Sequence, residues 1–194
     1  MILSSLILLI VYNGFNMYCD VRWRITKNLW HVLYLLLFLT LIIVQQGTAV
    51  LWAVGWGCIA FLFYGLLLEA AGSTAPGDTK MMMTNGLGIC CYVLAVNGGF
   101  VRDEMRSALR IFLFSLVLIL FLIDAYRFGR KYGLKRVVKA IFENTIGYIM
   151  AKAGMNAFAP SSSLDNKDFR ILPGAVMITM SVGITISFFI PAFG

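Results

Sequence analysis

The sequence predicts an all-α protein whose helices cross a membrane, and three observations carry that expectation. Of its 194 residues, 60% are apolar and only 13% are charged, and the mean hydropathy is +0.86. No soluble surface could hide that much hydrocarbon. The apolar residues also fall into long runs parted by polar or glycine- and proline-bearing breaks, and the basic residues gather beside those runs.

Taken in order, six runs read as spans within a single domain over 1–194, with no internal repeat. The first, about residues 2–18, lacks a basic stretch before it and a small-residue cleavage site after it, while Arg22, Arg24 and Lys27 follow it. It is therefore expected to stay in the membrane as a span rather than be removed as a signal peptide, with the N-terminus outside. The second is 29–44, and Gln45-Gln46-Gly47-Thr48 makes a short outer turn to the third, 49–71, where Trp52 and Trp56 suit the interface. The fourth, 81–96, carries Asn85, Gly86 and Gly88, which fit a helix packed against helices better than one facing lipid. The fifth is 109–123 and the sixth 171–190. Several of these are near the lower limit of about 17 residues for a span, so their ends are expected to reach into the flanks.

Charge sets the expected orientation. Threading the chain from an outer N-terminus leaves three of the 16 basic residues outside, Arg102, Arg106 and Arg110, and the other 13 inside. That is a positive-inside distribution with both termini outside. The same placement explains the net charge of +7 as topology and lipid contact, without a nucleic-acid partner. The inner stretch 124–170 contains Leu134, Val138, Ile141, Phe142 and Ile149 at helical spacing opposite Lys135, Arg136 and Lys139, an amphipathic helix over 134–150 expected to lie on the inner surface and to dock or gate a substrate. A polar loop without periodicity, 159–168, follows it.

Two carboxylates stand at run ends on the inner side. Asp20 sits at the end of the first run, where a helix terminus disfavours an anion. Asp78 follows the break Gly72-Ser73-Thr74-Ala75-Pro76-Gly77 and opens the fourth run. The simple readings are a solvated acid among arginines and a helix N-cap. Against the second, a cap does not require Gly72, Pro76 and Gly77, which let the backbone leave the helix and approach another group. Were the two acids to meet, they would hold one proton between them, and the pair could activate water against a peptide carbonyl without metal or cofactor.

The stretch Asp20-Val21-Arg22-Trp23-Arg24-Ile25-Thr26-Lys27-Asn28 after a first span, with Gly77-Asp78-Thr79-Lys80 opening a later one, resembles the type IV prepilin peptidases, the G-x-G-D class of intramembrane aspartyl proteases. Leu172-Pro173-Gly174-Ala175 before the last span is similar to that family's late proline motif. The resemblance covers essentially the whole chain in span number, order and orientation. It implies that Asp20 and Asp78 are the catalytic pair, with Gly77, Lys80 and Asn28 as supporting motif residues. It also implies a prepilin-like precursor as substrate, its leader cut at the cytoplasmic face of a prokaryotic inner membrane. Ala75 stands where the family's first motif glycine is expected, and Lys27 where a proline precedes the asparagine. The paired C-x-x-C domain of larger members is missing, so the chain resembles the short, peptidase-only form of Tad/Flp-type systems.

Other polar residues are assigned more modest places. Glu69, near the inner end of the third run, is a candidate neighbour of the acidic pair, because a carboxylate facing lipid is costly. Asp124 is expected to pair with Arg127, His31 to sit at the interface, and Asn28 to cap the second helix. Lys80 is divided between a carboxylate or phosphate partner and a plain inner charge. Cys19, Cys58, Cys90 and Cys91 show no metal or disulfide spacing and read as packing residues. No serine has a base nearby, and the glycine-rich break lacks the ending of a phosphate loop. Two alternatives to the peptidase stay open: a small proton-coupled transporter using Asp20, Glu69 and Asp78, and a non-catalytic pilus-assembly subunit of the same fold.

Overall fold

Where no water reaches the backbone, each N–H and C=O must find its partner within its own segment, so apolar runs of this length become helices. The computed structural model of the protein describes residues 1–23, 27–70, 75–133 and 174–190, and 135, 138, 139, 142 and 143 between the last two. Among the described residues there is no strand. The helices are α1 (Ile2–Trp23), α2 (Asn28–Gln46), α3 (Leu51–Ala70) after a short 3₁₀ turn at Thr48–Val50, α4 (Pro76–Asn97), α5 (Arg102–Tyr132) and α6 (Gly174–Phe188). The first five are long and apolar enough to cross a membrane; α6 is as apolar but has 15 residues. The protein is thus an all-helical, multi-pass membrane protein.

Several helices run past the limits expected from hydropathy, and local chemistry explains where they stop. The fourth was expected from residue 81, yet α4 begins at Pro76, whose fixed φ and missing N–H suit the first helical position. Asp78 is consequently its third residue and not a residue before it, and Pro76 and Gly77 are part of the first turn instead of a loop. At the other end Gly98 adopts φ 64°, the left-handed conformation that ends a helix and that glycine adopts without strain. The fifth was expected from residue 109, but Asp103 and Glu104 favour a helix N-terminus, so α5 starts at Arg102 and carries Arg106 and Arg110 along its first turns. Most of the amphipathic helix expected over 134–150 lies outside the described residues, as do the polar loop 159–168 and the side chains of Asp124 and Arg127. Lys135, Val138, Lys139, Phe142 and Glu143 are helical, with Lys139 3.5 Å from Glu143 across one turn and Val138 and Phe142 exposed.

α4 is the central helix, with 78% of its apolar window buried against 17–33% for the other four long helices. Its glycines explain how so many neighbours reach it. At 100° per residue, Gly86 and Gly88 face opposite sides of the helix. A Cβ at Gly86 would lie 2.8 Å from Cγ of Phe61 on α3, and one at Gly88 would lie 2.9 Å from the Phe38 ring of α2, with Leu9 of α1 alongside. Near the start of α4, Gly65 of α3 approaches the Thr79 backbone as closely. Helices gain nothing from leaving lipid for one another except contact and hydrogen bonds, so close backbone approach is what holds such a bundle together. Cys19, Cys90 and Cys91 are buried in this packing and Cys58 half so, as packing residues.

Gly86→Ala is expected to destabilise the protein by about 1–3 kcal/mol, because Phe61 is itself held against Phe112 at a ring separation of 5.2 Å and has little room to yield. Gly55→Ala, with nothing within 4 Å, is expected to be neutral. Thermal unfolding in detergent micelles compares the two; equal stabilities would show that α3 and α4 are not packed on Gly86.

Candidate active site

The two acids expected to meet are both inside the bundle and both abut the start of the same helix. Asp20, in the last turn of α1, is 9% exposed, and Asp78 is 4% exposed. Asp20 accepts a hydrogen bond through Oδ2 from the Ala175 backbone N–H at 3.0 Å. The Asp78 carboxylate packs on the preceding residue, Gly174, so closely that a Cβ there would overlap it. Consecutive residues of the first turn of α6 therefore contact both carboxylates. The first N–H groups of a helix have no partner within it and carry its positive pole, which matches an acid arriving from elsewhere. Asp78 also accepts through Oδ2 from the Ala75 N–H at 2.9 Å, closing the first turn of its own helix.

Glu69 arrives beside the pair from the last turn of α3. It accepts from the Thr79 hydroxyl at 3.0 Å, immediately next to Asp78, and together with Asp20 lies within electrostatic reach of that carboxyl. Lys80 is directed elsewhere: its Nζ donates to Asn28 Oδ1 at 2.7 Å on the exposed surface. Asn28 accordingly does not cap α2. Lys27 occupies the cap position without a side-chain bond, and the Asn28 amide ties the start of α2 to the first turn of α4. The supporting residues thus divide into two groups. Glu69 and Thr79 adjoin the acids, while Asn28 and Lys80 fasten the same end of the bundle from outside.

His31, in the first turn of α2, is buried between α1 and α2, its Nδ1 hydrogen-bonded to the Tyr12 hydroxyl at 2.6 Å. Its aromatic surroundings, Tyr12 and the stacked Trp30 and Tyr34, account for the burial of a ring that hydropathy treats as polar.

Beneath the acids runs a line of amides, of which only Asn85 stood out in the sequence. Asn16 and Asn13 precede Asp20 by four and seven residues and so share its face of α1. Asn85 follows Asp78 by seven on α4. Asn13 and Asn85 exchange hydrogen bonds of 2.7 and 3.0 Å, and Thr179 of α6 donates to Asn13 Oδ1 at 3.3 Å. The same three helices that carry or contact the carboxylates are joined again about 10 Å deeper, at 1.5 Å rise per residue. The polar spacing of α1 was legible as a stripe, whereas the pairing across helices was not.

Comparison of the chain with protein-family models, with curated proteins and with solved structures finds no match.

Asn13→Leu or Asn85→Leu alone is expected to cost about 1–3 kcal/mol, because each removes a buried amide–amide hydrogen bond and leaves the other amide with fewer partners inside the bundle. The double replacement should cost less than the sum of the two. A double-mutant cycle by thermal unfolding in micelles measures this; strictly additive losses would mean that the two amides do not interact.

Proposed function

We propose that the protein is an intramembrane aspartyl endopeptidase that removes the leader of a prepilin-like precursor at the cytoplasmic membrane face. The observation that carries this reading is the convergence of Asp20 and Asp78 on Gly174 and Ala175, at one end of the bundle. Three separate stretches, each singled out by its likeness to a prepilin-peptidase motif, come together there.

The chemistry of this reading is that of two carboxyl groups working in one site, one member ionised and the other protonated. The ionised member takes a proton from water as the water oxygen bonds to the scissile carbonyl carbon. The protonated member gives its proton to the carbonyl oxygen. When the tetrahedral intermediate collapses, the C–N bond breaks, the departing amine takes up the proton held by the pair, and one hydroxyl of the intermediate returns its proton to the pair as the new carboxylic acid forms. Neither a metal nor a cofactor has a part in these steps. The exposed apolar flanks of the bundle face lipid, from which the hydrophobic helix of a precursor can approach with its leader at the inner rim. Six spans, with α6 as the last and both termini outside, give that rim the 13 basic residues expected inside.

A second reading, proton movement through the membrane, draws on the amides that continue inward from the acids. The acids themselves stand at helix ends rather than at mid-helix, which favours hydrolysis at a surface over passage across the bilayer.

Co-expression with a prepilin-like precursor should give a shortened product on a gel. Asp20→Asn and Asp78→Asn should each reduce its formation by on the order of 100-fold or more while still inserting in the membrane. Gly174→Ala should also impair cleavage, since its Cβ displaces Asp78. Undiminished cleavage by either asparagine variant would refute the aspartyl mechanism, and proton uptake by vesicles carrying the protein, without cleavage, would favour the transporter.

A further inference from the structure

Asn16 sits one helical turn beneath Asp20 on the buried face of α1, and it is 1% exposed. Its Nδ2 donates to the Tyr12 carbonyl at 2.8 Å, which fixes the amide plane. Its Oδ1 is buried and has no hydrogen-bond partner among the described residues. A buried amide oxygen left this way is costly, and native interiors meet such a demand with a protein donor or an ordered water.

The neighbour above has the complementary need. Asp20 engages Oδ2 with the Ala175 N–H, and among the described residues no donor reaches its Oδ1. Side chains on a helix lean toward its N-terminus, so the Asp20 carboxylate leans back over Asn16. Residues four apart have Cβ atoms about 5–6 Å apart, a gap that one water can bridge with two hydrogen bonds. Below Asn16, the Asn13–Asn85–Thr179 junction has its own partners, and the carboxylate nearest along the same face of α1 is that of Asp20, one turn above.

We infer that Asn16 Oδ1 and the Asp20 carboxylate hold a water between them, that this is the water consumed in hydrolysis, and that Asn16 is its positioning residue. The inference rests on the proposed peptidase reading. The water donates one hydrogen to each oxygen, which directs its lone pairs away from both acceptors and toward an incoming carbonyl carbon. As the carbon–oxygen bond forms, the hydrogen on Asp20 passes to that carboxylate. Asp20 is then the base and Asp78 the acid that protonates the carbonyl oxygen.

The test uses the full chain in micelles, with Asn16→Leu to remove the acceptor at similar volume and Asn16→Ser to restore a smaller one. Two readouts are taken: steady-state cleavage of a prepilin-like precursor, and hydroxyl-radical labelling from ¹⁸O-water at Cys19 and Met82, which are buried from bulk solvent. Asn16→Leu is expected to lower kcat by on the order of 10- to 100-fold with KM unchanged. It should also abolish the labelling, and Asn16→Ser should recover part of both. Asp20→Asn, which keeps an oxygen acceptor, should retain the label while losing cleavage. Unchanged kcat in Asn16→Leu overturns the inference, and so does a label that survives that replacement. If the native chain cuts no precursor, the peptidase reading falls, while the labelling still decides whether Asn16 holds a water.

Discussion

Everything at the end of the bundle that carries Asp20 and Asp78 depends on how buried carboxylates are matched to unpaired backbone donors. An acid withdrawn from water needs N–H groups or cations, and a helix starting inside a protein has N–H groups without acceptors. The Ala175 N–H and Asp20 answer each other, and Ala75 and Asp78 do the same within one turn. Both answers require tight fits: a side chain at residue 174 would overlap the Asp78 carboxylate. The first turn of α6 is therefore the component that both acids contact.

The rest of the fold can be understood as support for that pairing. α4 carries Asp78 and must be approached from several sides, so it uses Gly86 and Gly88 where bulkier residues would hold its neighbours off. α3 brings Glu69 to Thr79 and lays Gly65 on the same turn, fixing the register of α4 right beside the acid. The Asn28 amide and Lys80 secure the turn from the surface, and Tyr12 and His31 bind α1 to α2 from within. Deeper in the bundle, Asn13, Asn85 and Thr179 repeat the junction of α1, α4 and α6. Two such junctions on the same three helices resist rotation about either one, which a single contact could not do.

The helices were legible because hydrophobic runs have one solution in lipid, and their ends were less so because capping acts outside the run. Pro76 at the first helical position moved Asp78 inside α4, and acidic residues drew α5 back to Arg102. Asp20 and Asp78 were legible from where each stands against its run. Their common contact with α6 was not, since the Asp20 to Ala175 bond joins residues 155 apart in sequence, and no local pattern encodes it. The burial of His31 was not legible for a related reason: its partner Tyr12 belongs to another helix. Asn16 and Asn13 are the instructive omission. Their spacing from Asp20 puts all three on one face, a signal present in the sequence but weaker to the eye than a charge.

The same contacts that assemble the pair also occupy it. With Ala175 on one oxygen of Asp20 and Gly174 against Asp78, the approach from α6 is filled by that helix's own backbone. A peptide bond reaching both acids has to come from another side or displace the first turn of α6, exchanging one backbone donor for another. Such an exchange costs little if the incoming chain supplies an N–H of its own, because Asp20 then keeps its hydrogen bond throughout. A substrate whose backbone is extended near the cut can supply that donor, whereas a helical segment has its N–H groups already engaged. Under the proposed peptidase function, this would place the cut just outside a substrate helix and not within it, at the boundary of a hydrophobic segment.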